Sequence, residues 1–213
     1  MAEKIKVAVI FGPTASGKTR LAATLARRHN GEVVSADSMQ IYRGMEIGTA
    51  KPTEQEMLGI PHHLLGFLSP DRPFSVAEYV AMARDCIAEI AARGRLPVLA
   101  GGTGLYLRAL LQNLSFSIEE ADPALREALQ KRAQEEGPEA LFRELRQVDP
   151  ETASRLHPND LKRVIRALEL YRKTGRTMAE QNRQSRAAPS LYQAGKKMCI
   201  RDSHYPLCGG GKP

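Results

Sequence analysis

Apolar positions along the first half of the chain fall in short blocks, separated by turn residues. Ile5–Phe11 (IKVAVIF) is an unbroken, β-branched run closed by Gly12-Pro13, which predicts a buried parallel strand. Residues 17–29 (GKTRLAATLARRH) follow at helical period, with Leu21 and Leu25 on one face. Residues 32–36 (EVVSA) predict a second strand. Residues 75–93 (SVAEYVAMARDCIAEIAAR) predict a long amphipathic helix stopped by Gly94. Residues 97–100 (PVLA) predict a third strand ending in Gly101-Gly102. Strands alternating with helices in units this short imply an α/β fold with a parallel sheet flanked by helices.

Beyond residue 112 the pattern changes. Residues 122–136, 138–147 and 160–174 all carry helical period, with no strand among them. Asp122-Pro123 and Gly137-Pro138 are helix-opening pairs. The chain therefore divides into an α/β core at 1–112, a helical insertion subdomain at 113–186 and a tail at 187–213. The tail (AAPSLYQAGKKMCIRDSHYPLCGGGKP) has no clear period and ends in a glycine run. It reads as irregular, as a linker, a disordered segment or sequence foreign to the domain.

Composition narrows the class. In 213 residues, hydrophobic side chains make up 42% and charged ones 26%, an ordinary globular balance that excludes global disorder. No apolar run approaches the ~20 residues that span a bilayer. The run at Val7–Phe11 is too short for an export signal. Three cysteines make no disulfide framework, and Cys199, His204 and Cys208 match no zinc spacing. The expectation is a cytoplasmic protein without a membrane partner. The net charge of +7 is unevenly placed. Residues 1–112 carry +3, residues 113–154 carry −5 and residues 155–213 carry +9. A basic segment of that size is either a solvated face or a seat for a polyanion.

The strongest chemical signal is Gly12-Pro13-Thr14-Ala15-Ser16-Gly17-Lys18-Thr19, which fits G-x-x-x-x-G-K-[ST], the P-loop. An apolar strand precedes it and a helix follows, as the motif requires. Glycines let successive backbone N–H groups converge on phosphate oxygens, and the helix start adds its positive dipole end. Lys18 supplies a point charge to the terminal phosphate, and Thr19 a hydroxyl to Mg²⁺. The motif predicts a bound di- or triphosphate. ATP lies within that class, but the motif does not single it out.

Four weaker signals share the chain with it. Asp37, in Ser35-Ala36-Asp37-Ser38-Met39-Gln40-Ile41-Tyr42, falls just past the second strand, at the edge where open α/β sheets bind ligands. A carboxylate there can hold a hydrated cation, act as general base or simply cap a turn. Gly101-Gly102-Thr103-Gly104 follows the third strand on the same edge. Residues 47–52 (IGTAKP) and 60–64 (IPHHL) read as loops, with His62 and His63 either functional or hydrogen-bonded structure. In His157-Pro158-Asn159-Asp160-Leu161-Lys162-Arg163-Val164-Ile165-Arg166-Ala167-Leu168-Glu169, Lys162 and Arg166 share a helix face. Val164, Ile165 and Leu168 can form its buried stripe. A basic face of this kind suits RNA backbone contact or solvent.

Taken in order, GPTASGKT, SADSMQIYRGMEIGTAKP, PHHL, AGGTGLY and HPNDLKRVIRALE resemble the tRNA dimethylallyltransferases, over about residues 5–186. The resemblance implies a P-loop NTPase-like fold. In that family the loop holds the diphosphate of dimethylallyl diphosphate rather than hydrolysing a nucleotide. It implies transfer of the dimethylallyl group to N6 of the adenine on the 3′ side of the anticodon. By that resemblance Asp37 accepts the proton of the amine, and Thr103 lies near the reacting adenine. Gly12 to Thr19 bind the diphosphate, and Thr19 carries Mg²⁺. Asp37, Ser38, Met39, Gln40, Thr103, Arg126, Lys162, Arg163, Val164, Ile165 and Arg166 contact tRNA at its anticodon stem-loop. A monomer is expected.

The family continues past residue 186 with a further strand and a basic helical region. The chain accordingly reads as a C-terminally truncated member whose last residues are unrelated, leaving a sheet edge unfilled. Three alternatives stand beside the transferase. They are a P-loop kinase of a small metabolite, a relative that prenylates free adenine nucleotides, and an inactive fragment.

Overall fold

The computed structural model describes residues 4–14, 16–114, 122–187 and 189–199. They divide into two compact units, 1–114 with 189–213 and 115–188.

The first unit is a five-stranded, all-parallel sheet in the order β3-β2-β4-β1-β5. Its strands are β1 (Ile5–Phe11), β2 (Gly31–Ser35), β3 (His62–His63), β4 (Leu96–Gly101) and β5 (Tyr192–Cys199). Helix α1 (Lys18–Arg28) packs Ala22 and Ala26 on Ile10, Val33 and Val98. Side chains alternate across a strand, so Val9, Val34 and Leu99 turn to the opposite face. These three are also buried, and α3 (Val76–Ala92) lies on that side with Tyr79, Val80, Ala83, Ile87 and Ile90 inward. A sheet covered on both faces explains why its inner strands read as continuous apolar runs. Helix α3 opens on a reciprocal cap. Ser75 Oγ accepts from the Glu78 N–H at 3.2 Å, and Glu78 accepts from the Ser75 N–H at 2.7 Å. The short α2 (Glu54–Met57) and α4 (Gly104–Leu111) complete this unit.

The expected irregular tail is corrected here. Residues 192–199 form β5, pairing in parallel with β1 from Ile5↔Tyr192 to Phe11↔Cys199. The sheet edge expected to be unfilled is therefore filled by this chain. The strand was illegible because YQAGKKMC has no β-branched residue, two lysines and a glycine, a composition that suits an edge strand. Its start is fastened from inside the unit. The Ile5 N–H donates to the Leu191 carbonyl at 3.2 Å, and Asn113 Nδ2 donates to the Pro189 carbonyl at 3.0 Å. Arg84 in turn donates to Asn113 Oδ1 at 2.6 Å. His204 and Cys208 lie outside the described residues.

The second unit comprises α5 (Pro123–Glu136), α6 (Pro138–Val148), α7 (Pro150–Ala153), α8 (Leu161–Thr174) and α9 (Met178–Ala187). Its own core is built from Leu129, Leu141, Leu145, Val164, Ile165 and Leu168. Asp122 caps α5 through the Leu125 N–H at 3.0 Å. Buried Asp149 accepts from the N–H groups of Thr152 (3.0 Å) and Ala179 (3.1 Å), so one carboxylate fixes the starts of α7 and α9. The helical segment leaves the sheet after α4 and the chain returns to it in β5, so it is an insertion.

Glu32, at the amino end of β2, is 2% exposed. It accepts from His63 (2.6 Å), Arg93 (2.9 Å) and Arg95 (2.8 Å). Burial pushes its carboxyl up, but these three donors outweigh burial and hold it below the ordinary 4.5. A carboxyl depressed on folding contributes stability above its ordinary pKa and loses it as pH falls through the folded value. We expect Glu32→Gln to lower the unfolding free energy by about 1–3 kcal/mol at pH 7, since the half-exposed arginines can re-solvate. Urea denaturation at pH 7 and pH 4 checks this. The deficit shrinks at the lower pH, whereas a constant deficit would assign it to packing.

Candidate functional site

Three loops meet at the carboxyl ends of β1, β2 and β4. The register makes them meet, because Phe11 pairs with Gly101 and Ser35 with Ala100. The strands then end level, and their following residues emerge together. The ladder continues one step into the loops. The Ala36 N–H donates to the Ala100 carbonyl at 2.8 Å, and the Thr103 N–H donates to the Ala36 carbonyl at 3.0 Å. A Cβ at Gly101 would come within 2.1 Å of that same Ala36 oxygen, so only glycine permits the approach.

The first loop runs from Gly12 into α1. Gly17 opens the helix in the left-handed region (φ 80°), a conformation that favours glycine. Ser16 Oγ donates to the Pro13 carbonyl at 2.8 Å, and the Lys18 ammonium donates to the same carbonyl. Burial lowers the Lys18 pKa, and the neighbouring Asp37 charge opposes that shift. Thr14, Ser16, Gly17, Lys18 and Thr19 all line one cavity of about 330 Å³. Gly12 is buried behind it, Pro13 is exposed, and Ala15 lies outside the described residues.

The second loop carries Asp37, which lines the same cavity. Its Oδ1 accepts from the Met39 N–H at 3.0 Å, and a Cβ at Gly102 would stand 3.5 Å from its Oδ2. Thr103 reaches across from the third loop. Its hydroxyl accepts from the Ser38 N–H at 2.9 Å and donates to Ser38 Oγ at 3.2 Å. Thr103 therefore fixes the backbone that aims Asp37. Met39 is exposed. Gln40 lines the cavity but donates inward, to the carbonyls of Thr49 (3.2 Å) and Ala50 (2.9 Å). It is the anchor of the 47–52 loop, a use that the sequence did not disclose.

His62 and His63 separate in role. His63 belongs to the Glu32 cluster. His62 lines the cavity, and its Nδ1 donates to the Ile60 carbonyl at 2.8 Å. Its Nε2 is buried without a hydrogen-bond partner among the described residues. Burial lowers the His62 pKa, favouring the neutral ring. Ala22, Val33 and Leu65 add an apolar wall to the same cavity.

In the helical unit, Lys162 and Arg163 border a groove of about 610 Å³ with Gln130 and Gln134. Arg126 and Arg166 lie on α5 and α8, each a third to two-fifths exposed. Val164 and Ile165 require a correction. They are 0% and 4% exposed and belong to the core of this unit, so they hold α8 in place and do not present their side chains to a tRNA. They stand on the inward face of the helix whose outward face bears the cations.

A P-loop sequence at the end of β1, with a carboxylate and a threonine at the ends of β2 and β4, defines an α/β protein of the P-loop type with one polar corner at the carboxyl edge of its sheet. Family comparison sharpens this. The model of the IPP transferases matches residues 40–204, and that of the isopentenyl transferases matches residues 5–70. The chain belongs to the IPP transferase family. The family match thus runs on through β5, past residue 186 where the sequence reading ended it. The chain is 54% identical over 194 residues to the tRNA dimethylallyltransferase of Geobacillus kaustophilus, covering 91% of this chain and 61% of that protein. The Bacillus subtilis enzyme of the same name is 50% identical over 177 residues, 83% of this chain and 56% of that one. The chain thus spans about three-fifths of the length of these relatives. Among solved structures, the tRNA isopentenylpyrophosphate transferase of Bacillus halodurans is similar with a TM-score of 0.54 at 49% identity. That match covers 81% of this chain and 57% of that one. A eukaryotic dimethylallyltransferase solved acting on tRNA reaches 0.75 at 32% identity, covering 89% and 46%.

Thr103→Val removes both hydrogen bonds to Ser38 while keeping side-chain shape. We expect turnover to fall ~10–100-fold with diphosphate affinity unchanged, as for a lost positioning contact, and Thr103→Ser to restore most of it. Titration with pyrophosphate beside steady-state kinetics checks this. An equal loss of binding and turnover would make Thr103 part of the phosphate cradle instead.

Proposed function

We propose that the protein transfers a dimethylallyl group from dimethylallyl diphosphate to N6 of the adenine 3′-adjacent to the anticodon in tRNA, releasing diphosphate. The observation that carries the reading is the sharing of one cavity by Lys18, Thr19 and Asp37, backed by apolar Val33 and Leu65. A diphosphate seated on the loop amides and Lys18 would lay its five-carbon chain along that apolar wall. The exocyclic amine of adenine is a poor nucleophile and must lose a proton as it bonds. The N6–C bond forms as the C–O bond to diphosphate breaks, and Asp37 takes the N6 proton. Met39 N–H holds one Asp37 oxygen, which leaves the carboxylate oriented by the backbone. Negative charge grows on the departing diphosphate, where Lys18 and the backbone N–H groups at the start of α1 stabilise it.

The Thr19 hydroxyl at the cavity is a neutral oxygen donor of the kind a hard cation takes. No cluster of three or more His, Cys, Asp or Glu side chains exists among the described residues. That donor fits Mg²⁺, which keeps several waters and takes its remaining ligands from phosphate. When bound at Thr19 it supplies Lewis-acid neutralisation of the diphosphate. The macromolecular substrate is tRNA, met at its anticodon stem-loop by the 37–40 loop and by the basic face of Arg126, Lys162, Arg163 and Arg166. The target adenine leaves its stack to reach Asp37. We place the protein in the cytoplasm as a monomer. No helix among the described residues is long and apolar enough to cross a membrane.

The test is prenyl transfer from labelled dimethylallyl diphosphate, with Mg²⁺ and an unmodified anticodon stem-loop, and with ATP and AMP as competitors. Label in the RNA is expected. ATP turnover without label would replace the transferase by a kinase, and label in AMP alone would move the substrate to free nucleotides. Asp37→Ala should cut transfer by ~10²–10⁴-fold while leaving donor affinity within a few-fold. Donor binding lost in proportion would assign Asp37 to the metal instead. Lys18→Ala should weaken donor binding, as isothermal titration with pyrophosphate would read out.

A further inference from the structure

Glu169 is a glutamate with no exposed surface, inside a helix that is otherwise basic. Oε2 accepts from Arg126 Nε at 3.0 Å and from Arg166 Nη1 at 2.8 Å, while Oε1 accepts from the Asp122 N–H at 2.8 Å. The two arginines come from different helices, α5 and α8, and meet on a single oxygen atom. Two guanidiniums held side by side repel each other unless an anion lies between them. Glu169 is that anion, and the triad retains one net positive charge.

Stability alone does not call for this arrangement. A buried carboxylate shared by arginines roughly breaks even against an apolar residue of similar volume, because desolvation offsets the Coulomb gain. The triad does achieve orientation. Each guanidinium has five N–H donors in a rigid fork, and one from each is directed inward to Glu169. Arg126 binds through Nε and Arg166 through one terminal nitrogen, so the rest of each fork stays on side chains 40% and 36% exposed. A pair of guanidiniums fixed in this way matches the oxygens of a phosphodiester, and its freezing entropy is already spent in folding.

We propose that Glu169 is a positioning residue that sets Arg126 and Arg166 as a preorganised clamp for an RNA backbone phosphate. The inference rests on the tRNA reading above and adds to it the residue that makes the two arginines act as one unit. Glu169 touches no RNA itself.

The experiment compares wild type with Glu169→Gln for binding of the unmodified anticodon stem-loop across a salt series. Pyrophosphate affinity and thermal unfolding are measured on the same samples. The variant keeps the shape of the side chain but removes the charge that holds both guanidiniums. Affinity is expected to fall about ten-fold. The slope of log affinity against log salt should flatten by about 0.7, the value for one lost phosphate contact. Pyrophosphate binding should be unchanged. A folded Glu169→Gln protein with wild-type affinity and salt slope would overturn the clamp and leave Glu169 a structural group. Wild-type protein that binds no stem-loop even at low salt would instead overturn the RNA reading. If Glu169→Gln does not fold, the double variant Arg126→Lys with Arg166→Lys takes its place. It retains both charges and a bond to Glu169 but lacks the outward forks. Affinity about ten-fold below wild type supports the clamp, and unchanged affinity refutes it.

Discussion

Everything at the candidate site hangs on one backbone approach. The Ala36 carbonyl sits where a side chain at position 101 would have to be, and Gly101 lets it stay there. That contact carries the β2–β4 ladder past the last strand residues into the loops, through Ala36 to Ala100 and Thr103 to Ala36. The loop after β2 and the loop after β4 are thereby fixed to each other before any side chain is considered. The hydroxyl of Thr103 then has one place to go, onto Ser38, and the Asp37 carboxylate is aimed by its own backbone. A shift of a single residue in the β2–β4 register would turn every strand side chain to the other face. It would also separate Asp37 from the phosphate loop.

How much of this was legible follows from how local each signal is. The P-loop motif is written in eight consecutive residues, because a phosphate cradle of this kind would be made of backbone N–H groups whose geometry is set by nearby glycines. Its strand and helix neighbours carry their own periods. Asp37 and Thr103 stand 66 residues apart, and only the parallel register joins them, so the periodicity could place each at a sheet edge, and it took the family resemblance to set both beside one adenine. The inward use of Gln40 had no signal at all. A glutamine that anchors a loop and one that meets a substrate look alike until its hydrogen bonds are seen. The two histidines teach the same lesson. Adjacent in sequence and alternating across a strand, His62 faces the cavity and His63 faces Glu32.

The strand β5 was hidden for a different reason. Inner strands of a doubly covered sheet announce themselves by apolar composition, because both faces need covering. An edge strand needs only one neighbour, and charge along it discourages pairing with another chain. The lack of a clear period that made residues 192–199 read as part of an irregular tail is thus compatible with their position beside β1. The buried ring of Tyr192 and the Asn113–Pro189 bond locate where the chain rejoins the sheet. Neither could be weighed without knowing that the helical segment is an insertion.

The helical unit shows why a stretch of sequence can be assigned to a function while its residues divide between two roles. In Lys162–Arg166 three cations flank the apolar pair, and helical geometry sends the two kinds to different faces. Val164 and Ile165 enter the core with Leu129 and Leu145, and this fixes the axial rotation of α8. Once that rotation is set, Arg166 and Glu169, three residues apart, lie on a common face turned toward α5. Arg126 comes from that helix to the same carboxylate. Burial pushes the Glu169 carboxyl up, yet the Arg166 guanidinium, the Asp122 N–H and Arg126 together hold it below the usual range. The ionised form is therefore the one the fold has built around. Apolar packing positions the helix, the helix positions the carboxylate, and the carboxylate positions the two cations. The order of that dependence explains why a core residue and a surface residue in the same five-residue stretch both serve the placement of one cationic surface.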